Sequence, residues 1–407
     1  MKNDELLKVI DLFSGAGGFG LGFQLAGYDV AFSLEIDKWA TETIRRNSPN
    51  MKILSADIRN YRSLDEVHAV CPVSPHVLIG SPPCQGFSIA GPAKKDPQDP
   101  RNSLFKDYAR WVEHLNPQVF VMENVKGLLS RRNAEGERVI DIILRTFANL
   151  GYSVEVWLLN AAEYGVPQSR ERVFIVGNCI GIDLIGLPKK THTLLSPKMD
   201  CVQMKLIDEG ELPVALSLWE AISDLPRLEA NEGEEEQPYI VTPQNDYQAC
   251  LRGEQKIIYN HVAMQHSKRL VERFKHIKWG ESSADVPEEY RAHTRNGNGK
   301  ISAIVYDQNN RRLYPYKPSH TIAASFYANF IHPFQHRNMT AREGARLQSF
   351  PDWYRFMGKK TVPSHKLLQR EGRFDEKHLC QYNQIGNAVP PILAKVIAEH
   401  LKKVMRP

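Results

Sequence analysis

Cys84 is the one cysteine of six whose surroundings suit chemistry. It lies in Gly80-Ser81-Pro82-Pro83-Cys84-Gln85-Gly86-Phe87-Ser88, directly after His76–Ile79, an apolar run that reads as a strand. Open α/β sheets bind their ligands beyond the carboxyl ends of the strands. Two prolines restrict the backbone just ahead of the thiol. A cysteine is commonly a small buried hydrophobe, but this context argues otherwise. The next strand-like run, Val119–Met122, ends in Glu123-Asn124-Val125, which brings a carboxyl group to the same sheet edge. A nucleophilic thiol beside a carboxyl proton donor is suited to covalent catalysis. Arg170 and Arg172, in Gln168-Ser169-Arg170-Glu171-Arg172, point the same way if that segment is extended. They could bind carbonyl or phosphate oxygens, or form a surface salt-bridge ladder.

A second constellation lies near the N-terminus. Gly15-Ala16-Gly17-Gly18-Phe19-Gly20 has the spacing G-x-G-x-x-G between a strand and a helix. Glycines there permit a tight turn and close approach of a ligand to the backbone. Glu35 ends the following strand at a distance suited to a ribose hydroxyl pair. Asp57 follows in Ser55-Ala56-Asp57-Ile58, where it could accept from an adenine amino group. The set reads as a nucleoside-binding constellation; the plainer alternative is a tight turn with two helix-capping acids. The loop alone does not separate NAD from S-adenosylmethionine.

The elements that must position these groups can be read from the hydrophobic pattern. Strands are expected at Lys8–Phe13, Val30–Ile36, Met51–Ile58, His76–Ile79, Val119–Met122, Val154–Leu159 and Val173–Val176. Helices are expected at Gly18–Gly27, Lys38–Arg46, Leu64–Val70, Ser103–Leu115, Glu137–Leu150 and Pro390–Val404. Alternation with continuously apolar strands argues for an α/β fold, a mostly parallel sheet covered on both faces. The last two strands have little helix between them and suggest an antiparallel hairpin at one edge. After about residue 185 the pattern fades into a second, less regular domain.

Composition narrows the class. With 42% hydrophobic and 24% charged residues, the 407-residue chain can bury a sizeable core, which excludes a disordered or fibrous protein. The most apolar stretch, Val173–Leu187, is short and interrupted by Asn178 and Asp183, so no membrane partner is expected. No Cys-x-x-Cys pair occurs, so no metal site is read and a reducing, cytoplasmic setting is expected. The net charge of +5 hides a contrast. Residues 201–250 carry two Lys/Arg against eleven Asp/Glu, and residues 251–317 carry thirteen against seven. Either these are two solvated surfaces, or the basic segment is a polyanion-binding face.

Taken in order, Asp11-Leu12-Phe13-x-Gly-x-Gly-Gly, Pro-Pro-Cys-Gln-Gly-Phe-Ser, Glu-Asn-Val, Gln-x-Arg-x-Arg, Arg346-Leu347-Gln348-x-Phe350-Pro351 and Gly386-Asn387-Ala388-Val389-Pro390 resemble the DNA cytosine-5 methyltransferase family. The resemblance covers residues 8–178 and 318–404 and is greatest to the compact prokaryotic enzymes, including those of restriction–modification systems. It implies a Rossmann-like S-adenosylmethionine-dependent sheet, residues 1–185 with 382–407, and a smaller recognition domain, residues 186–381, with a variable core at about 186–317. Cys84 would add to cytosine carbon 6, Glu123 would protonate ring nitrogen 3, and Arg172 would bind the carbonyl. Arg170 would support Glu123 or the DNA phosphates. Phe13, Ser14, Gly15, Gly17 and Gly18 would surround the methionine part of S-adenosylmethionine. Glu35 would hold the ribose, and Ile36, Asp57 and Ile58 the adenine, with Pro83, Asn387 and Val389 completing the pocket. Many relatives carry a larger side chain after the glutamate, so Ile36 offers a smaller stacking surface.

The implied partner is duplex DNA, with the target base flipped out of the stack. Gln85, Ser88 and Arg101 would contact it from a loop, Gln85–Leu104, that closes over the base. In the basic segment, Arg295 and Asn296 of His293-Thr294-Arg295-Asn296-Gly297-Asn298-Gly299-Lys300 could read bases, or the segment could be a plain hairpin turn. The acidic cluster Glu232–Glu236 is expected to be a solvated excursion away from DNA. A monomer is expected, paired in function with a restriction endonuclease without contact. The first rival is a tRNA cytosine-5 methyltransferase, but the Cys-Phe-Thr signature usual in those relatives is missing from the recognition region. An NAD-linked oxidoreductase would leave Pro-Pro-Cys-Gln and Glu-Asn-Val unexplained. A catalytically silent DNA-binding relative conflicts with the presence of both Cys84 and Glu123.

Overall fold

The computed structural model describes residues 6–83, 104–133, 135–194, 212–294, 300–302, 307, 309–363 and 365–405. The chain divides into two compact units. The first comprises Met1–Gly165, Arg170–Pro213 and Ala388–Pro407, and the second Val166–Ser169 and Val214–Asn387.

The first unit is built on seven strands: β1 (Lys8–Leu12), β2 (Asp29–Glu35), β3 (Lys52–Ser55), β4 (Val77–Gly80), β5 (Val119–Val125), β6 (Ser153–Asn160) and β7 (Glu171–Asn178). Their order is β3-β2-β1-β4-β5-β7-β6. The first five run parallel, and β7 pairs antiparallel with both β5 and β6, giving the edge hairpin expected from the sequence. Leu12 pairs with Leu34 and with Gly80, and Gly80 with Met122. This register brings the ends of β1, β2, β4 and β5 to one edge. The order reverses direction between β1 and β4, where doubly wound sheets open a ligand crevice.

The central strands are apolar at successive positions because both faces are covered. Ile10, Leu12, Leu78, Phe120 and Met122 enter one cluster with Tyr108, Trp111 and Phe147. These aromatic residues come from the helices Leu104–Leu115 and Val139–Asn149, and the rings of Phe120 and Phe147 lie 4.1 Å apart. Burial of each such ring contributes roughly 1.5–3 kcal/mol. Phe174 faces the other way, against Phe19 of α1 (Gly18–Leu25). The C-terminal helix Pro391–Met405 then packs on α1 so closely that a methyl group on Gly22 would meet Ala394 Cβ at 2.3 Å. The third strand is shorter than its apolar run: Asp57 turns the chain into a 3-10 helix, Ile58–Asn60.

The second unit has little regular structure and is held by buried charge pairs. Arg346 donates to Asp352 at 2.6 Å and to Asp224 at 3.0 and 3.1 Å, with all three side chains fully buried. Arg337 grips Glu343, whose carboxylate also caps the helix Ala341–Leu347 through Thr340. Breaking one such pair would strand a buried charge, which costs several kcal/mol. Gln168 is fully buried here and donates to the Leu347 carbonyl and to Gln348 Oε1, while accepting from Ile322 N.

Candidate active site

The glycine loop is shaped by three left-handed residues. Gly15 and Gly17 have φ of 53° and 77°, and Phe13 takes φ 54°, unusual for a residue with a side chain. Gly17 N donates to Ser14 O at 2.8 Å, which closes the turn into α1. Because the N-cap of α1 is a glycine, no side chain caps the helix from that position. Asp11, in β1, takes over that task by accepting from Gly20 N at 3.1 Å. Asp11 is buried, so desolvation raises its pKa well above the carboxylate range; the Gly20 hydrogen bond lowers it in part, and the Glu35 charge raises it.

Glu35 stands across from this loop. Its two oxygens accept from Gly15 N and Asp37 N, both at 2.8 Å. Burial raises its pKa, and the two amide bonds oppose that shift. The carboxylate is thus fixed at the mouth of the turn, with Ile36 beside it 63% exposed. Asp57 caps the Ile58–Asn60 turn and pairs with Arg59 at 2.5 Å, which holds its carboxyl below the usual range. Ile58 is buried in the apolar core.

The groups at the end of β5 form a second cluster. Glu123 is 8% exposed, and its Oε1 lies 3.1 Å from Arg172 Nε. The register explains this: Glu123 pairs with Phe174, and Arg172 stands two residues along on the same face of β7. Burial lowers the Arg172 pKa, and Glu123 raises it in return. Arg170 precedes β7 and is buried, donating to Ala388 O at 3.2 Å. Desolvation and the Arg172 charge push its pKa well down, with Glu123 opposing. Arg170 thus holds the chain at Ala388 and lies within electrostatic reach of Glu123 and Arg172. The next residue, Val389, is buried in the same unit.

Asn124 was not singled out by the sequence, although it belongs to the Glu-Asn-Val motif. Its side chain donates to Pro82 O at 3.1 Å and so ties the end of β5 to the Pro82-Pro83 turn after β4. Asn387, exposed at the end of the helix Gln381–Asn387, lies in the second unit. Cys84, Gln85, Ser88, Arg101, Arg295 and Asn296 lie outside the described residues. The residues flanking Arg295 and Asn296 pair as an antiparallel stem, His293 with Ile301, with Thr294 N donating to Lys300 O at 2.9 Å. Arg269 reaches this stem by donating to Arg291 O and to His293 Nδ1. The acidic cluster is exposed but anchored: Glu236 pairs with Arg355, and Glu235 accepts from Asn260.

This arrangement offers a glycine turn and fixed carboxylate on one side, and a carboxyl–guanidinium pair beside the Pro-Pro turn on the other. Comparison with known proteins agrees with that chemistry. The C-5 cytosine-specific DNA methylase family matches residues 7–403. The Type II methyltransferase M.DdeI of Desulfomicrobium norvegicum is 47% identical over 97% of this chain and 88% of its own length. The Type II methyltransferase M1.HphI of Haemophilus parahaemolyticus is 34% identical over 98% of this chain and 87% of its own. A solved structure of an Escherichia coli prophage protein, assigned as a DNA modification methyltransferase, superposes with a TM-score of 0.69 at 26% identity, covering 98% of this chain and all of that one. The chain belongs to the family of C-5 cytosine-specific DNA methylases.

Proposed function

We propose that this enzyme methylates carbon 5 of a cytosine flipped out of a specific duplex DNA sequence, through a transient adduct with Cys84. We further propose that it protects host DNA in a restriction–modification system, acting as a monomer alongside an endonuclease it does not touch. The observation that carries the reading is the meeting of Glu123, Arg172 and the Pro82-Pro83 turn at the edge that also holds the glycine loop.

Carbon 5 of cytosine is a poor nucleophile while the ring is aromatic. Addition of the Cys84 thiolate to carbon 6 makes carbon 5 enamine-like. Glu123 donates a proton to ring nitrogen 3 as the thiolate adds, so negative charge does not accumulate on the ring. After methylation a base takes the carbon 5 proton, which expels the thiolate, and the nitrogen 3 proton returns to Glu123 as the ring is restored. Arg172, whose Nε lies 3.1 Å from Glu123 Oε1, binds the cytosine carbonyl through its remaining N–H donors.

The pocket fits S-adenosylmethionine. Among the described residues a methyl group on Gly15 would meet no atom within 4 Å, so they leave the space above the turn open. Phe13, Ser14, Gly15, Gly17 and Gly18 would line the methionine part, Glu35 would take the ribose, and Ile36, Asp57 and Ile58 the adenine, with Pro83, Asn387 and Val389 closing the site. When bound, S-adenosylmethionine supplies the electrophilic methyl group and leaves as S-adenosylhomocysteine. Gln85, Ser88, Arg101, Arg295 and Asn296 would contact DNA.

The test uses the purified chain with labelled S-adenosylmethionine, unmethylated bacterial DNA and tRNA. Label in DNA, mapped by bisulfite sequencing to cytosine in one short sequence, is expected. A duplex carrying 5-fluorocytosine there should trap the protein covalently. Labelled tRNA with inert DNA would overturn the reading.

A further inference from the structure

Tyr108 has no part in the proposed chemistry, yet its phenol lies between the two strands that lead into the site. It is fully buried on the helix Leu104–Leu115. Its hydroxyl donates to Leu78 O of β4 at 3.0 Å and to Val121 O of β5 at 3.2 Å. A phenol has one proton to give, so that proton is shared between carbonyls of adjacent strands. The ring is placed as firmly as the hydroxyl. It meets Phe120 and Phe147 edge-on at 6.3 and 6.2 Å. It also lies against Gly80, where a methyl group would come within 2.6 Å of Tyr108 Cε2 and 2.7 Å of Leu12 O.

The chain shows what these contacts align. Two residues beyond Leu78 is Gly80, the last residue of β4, from which Ser81 and the Pro82-Pro83 turn lead to Cys84. Two residues beyond Val121 stands Glu123, paired with Arg172 at 3.1 Å. A bond from one hydroxyl to each of two neighbouring strands resists their sliding past one another at that level. Asn124 ties the same two segments further along, through Pro82 O at 3.1 Å. Packing alone does not require this hydroxyl. A phenylalanine, as at the neighbouring positions Phe120 and Phe147, would bury the same ring without a polar group to satisfy. Burial also raises the Tyr108 pKa well above the usual tyrosine range, which keeps the hydroxyl a donor.

We propose that Tyr108 is a positioning residue for methyl transfer: its hydroxyl aligns the ends of β4 and β5 and so sets the separation of the Cys84 thiol from Glu123. The proposal rests on the reading of those two residues as the nucleophile and the acid. Thiolate addition and protonation of ring nitrogen 3 act on one base, so an error in their spacing slows the reaction and leaves binding nearly unchanged. Tyr152 supplies the control. It belongs to the same apolar cluster, but its hydroxyl donates to Pro117 O at 2.7 Å, ahead of β5 and at the opposite end of that strand from Glu123. Tyr108→Phe and Tyr152→Phe each delete one buried hydroxyl and should lower the thermal midpoint by a similar amount, about 2–4 °C. The full chain is then assayed below both midpoints, with S-adenosylmethionine and a duplex containing the site mapped by bisulfite sequencing. In Tyr108→Phe the single-turnover methylation rate and the rate of 5-fluorocytosine trapping should fall about ten- to a hundredfold. The Kd for S-adenosylmethionine and for DNA should stay within about twofold. Tyr152→Phe should keep both rates within about twofold of wild type. Equal rates in the two variants would overturn the proposal. So would a Tyr108→Phe protein that no longer binds S-adenosylmethionine, because the hydroxyl would then serve the fold as a whole. A wild-type protein that methylates the duplex without trapping 5-fluorocytosine would instead refute the covalent reading on which the proposal rests.

Discussion

Asp11 gives the sharpest test of how the glycine turn is held. The turn requires a left-handed residue at the N-cap of α1, so Gly17 stands there and no capping side chain is possible. One first-turn donor, Gly20 N, is instead satisfied from the neighbouring strand by Asp11 at 3.1 Å. Asp11→Ala leaves that buried donor unpaired, at a cost of about 1–3 kcal/mol. A loss of 1.4 kcal/mol is about tenfold in an equilibrium constant, so S-adenosylmethionine affinity should fall several-fold if the turn loosens with it. Asp11→Asn keeps an acceptor of the same shape. Burial raises the Asp11 pKa, so the folded protein binds that proton more tightly than the unfolded chain. Wild-type stability should therefore fall as pH rises from the ordinary carboxylate range through the raised value. Asp11→Asn does not titrate and should gain on the wild type over the same interval. Urea midpoints for the three proteins across that range, with calorimetric titration of S-adenosylmethionine, provide the measurement. An Asp11→Ala midpoint equal to wild type, or an Asp11→Asn as damaged as Asp11→Ala, would refute the capping argument.

Other outcomes follow from the same geometry. Cys84→Ser should abolish turnover and the 5-fluorocytosine adduct while leaving S-adenosylmethionine binding nearly intact, as read by calorimetry. Glu123→Gln removes the acid but keeps a partner for Arg172, so kcat should fall about 10²- to 10⁴-fold with cofactor Kd unchanged. Gly22→Ala would place a methyl group 2.6 Å from Pro391 O and 2.7 Å from Lys395 N, backbone atoms that cannot turn aside. A loss of about 1–3 kcal/mol or more is expected, seen as a lower thermal midpoint and earlier proteolysis at the C-terminal helix.

The strands were legible because burial on both faces leaves no polar alternation to interpret: Val9, Ile10 and Leu12, or Val119 through Met122, can only be interior. Their carboxyl ends could be read with them, which is why Glu35 and Glu123 stand where the sequence placed them. Contacts between distant segments were less accessible. Asn124 acts through a carbonyl 42 residues earlier, and Gln168 through Leu347 and Gln348, some 180 residues later. Neither bond leaves a periodic trace. Asp57 shows the opposite limit, since a carboxyl after a strand suits both a ligand and a helix cap; it makes the cap, and making it does not exclude the ligand. The second unit resisted because its order comes from pairs such as Arg346 with Asp224, 122 residues apart, and not from a repeating apolar face.

The pairing of Glu123 with Arg172 carries the same lesson into function. The sequence placed Glu123 at the carboxyl edge of the sheet, but only the antiparallel register of β5 and β7 makes Arg172 its partner at 3.1 Å. On the proposed mechanism the same guanidinium also meets the cytosine carbonyl, and its five N–H donors in a fixed fork can face both oxygens at once. Arg172→Lys, which retains charge but loses the fork that can face two oxygens, should lower kcat and raise the KM for DNA while leaving the Kd for S-adenosylmethionine unchanged. Steady-state kinetics equal to wild type would show that the fork does not serve the reaction.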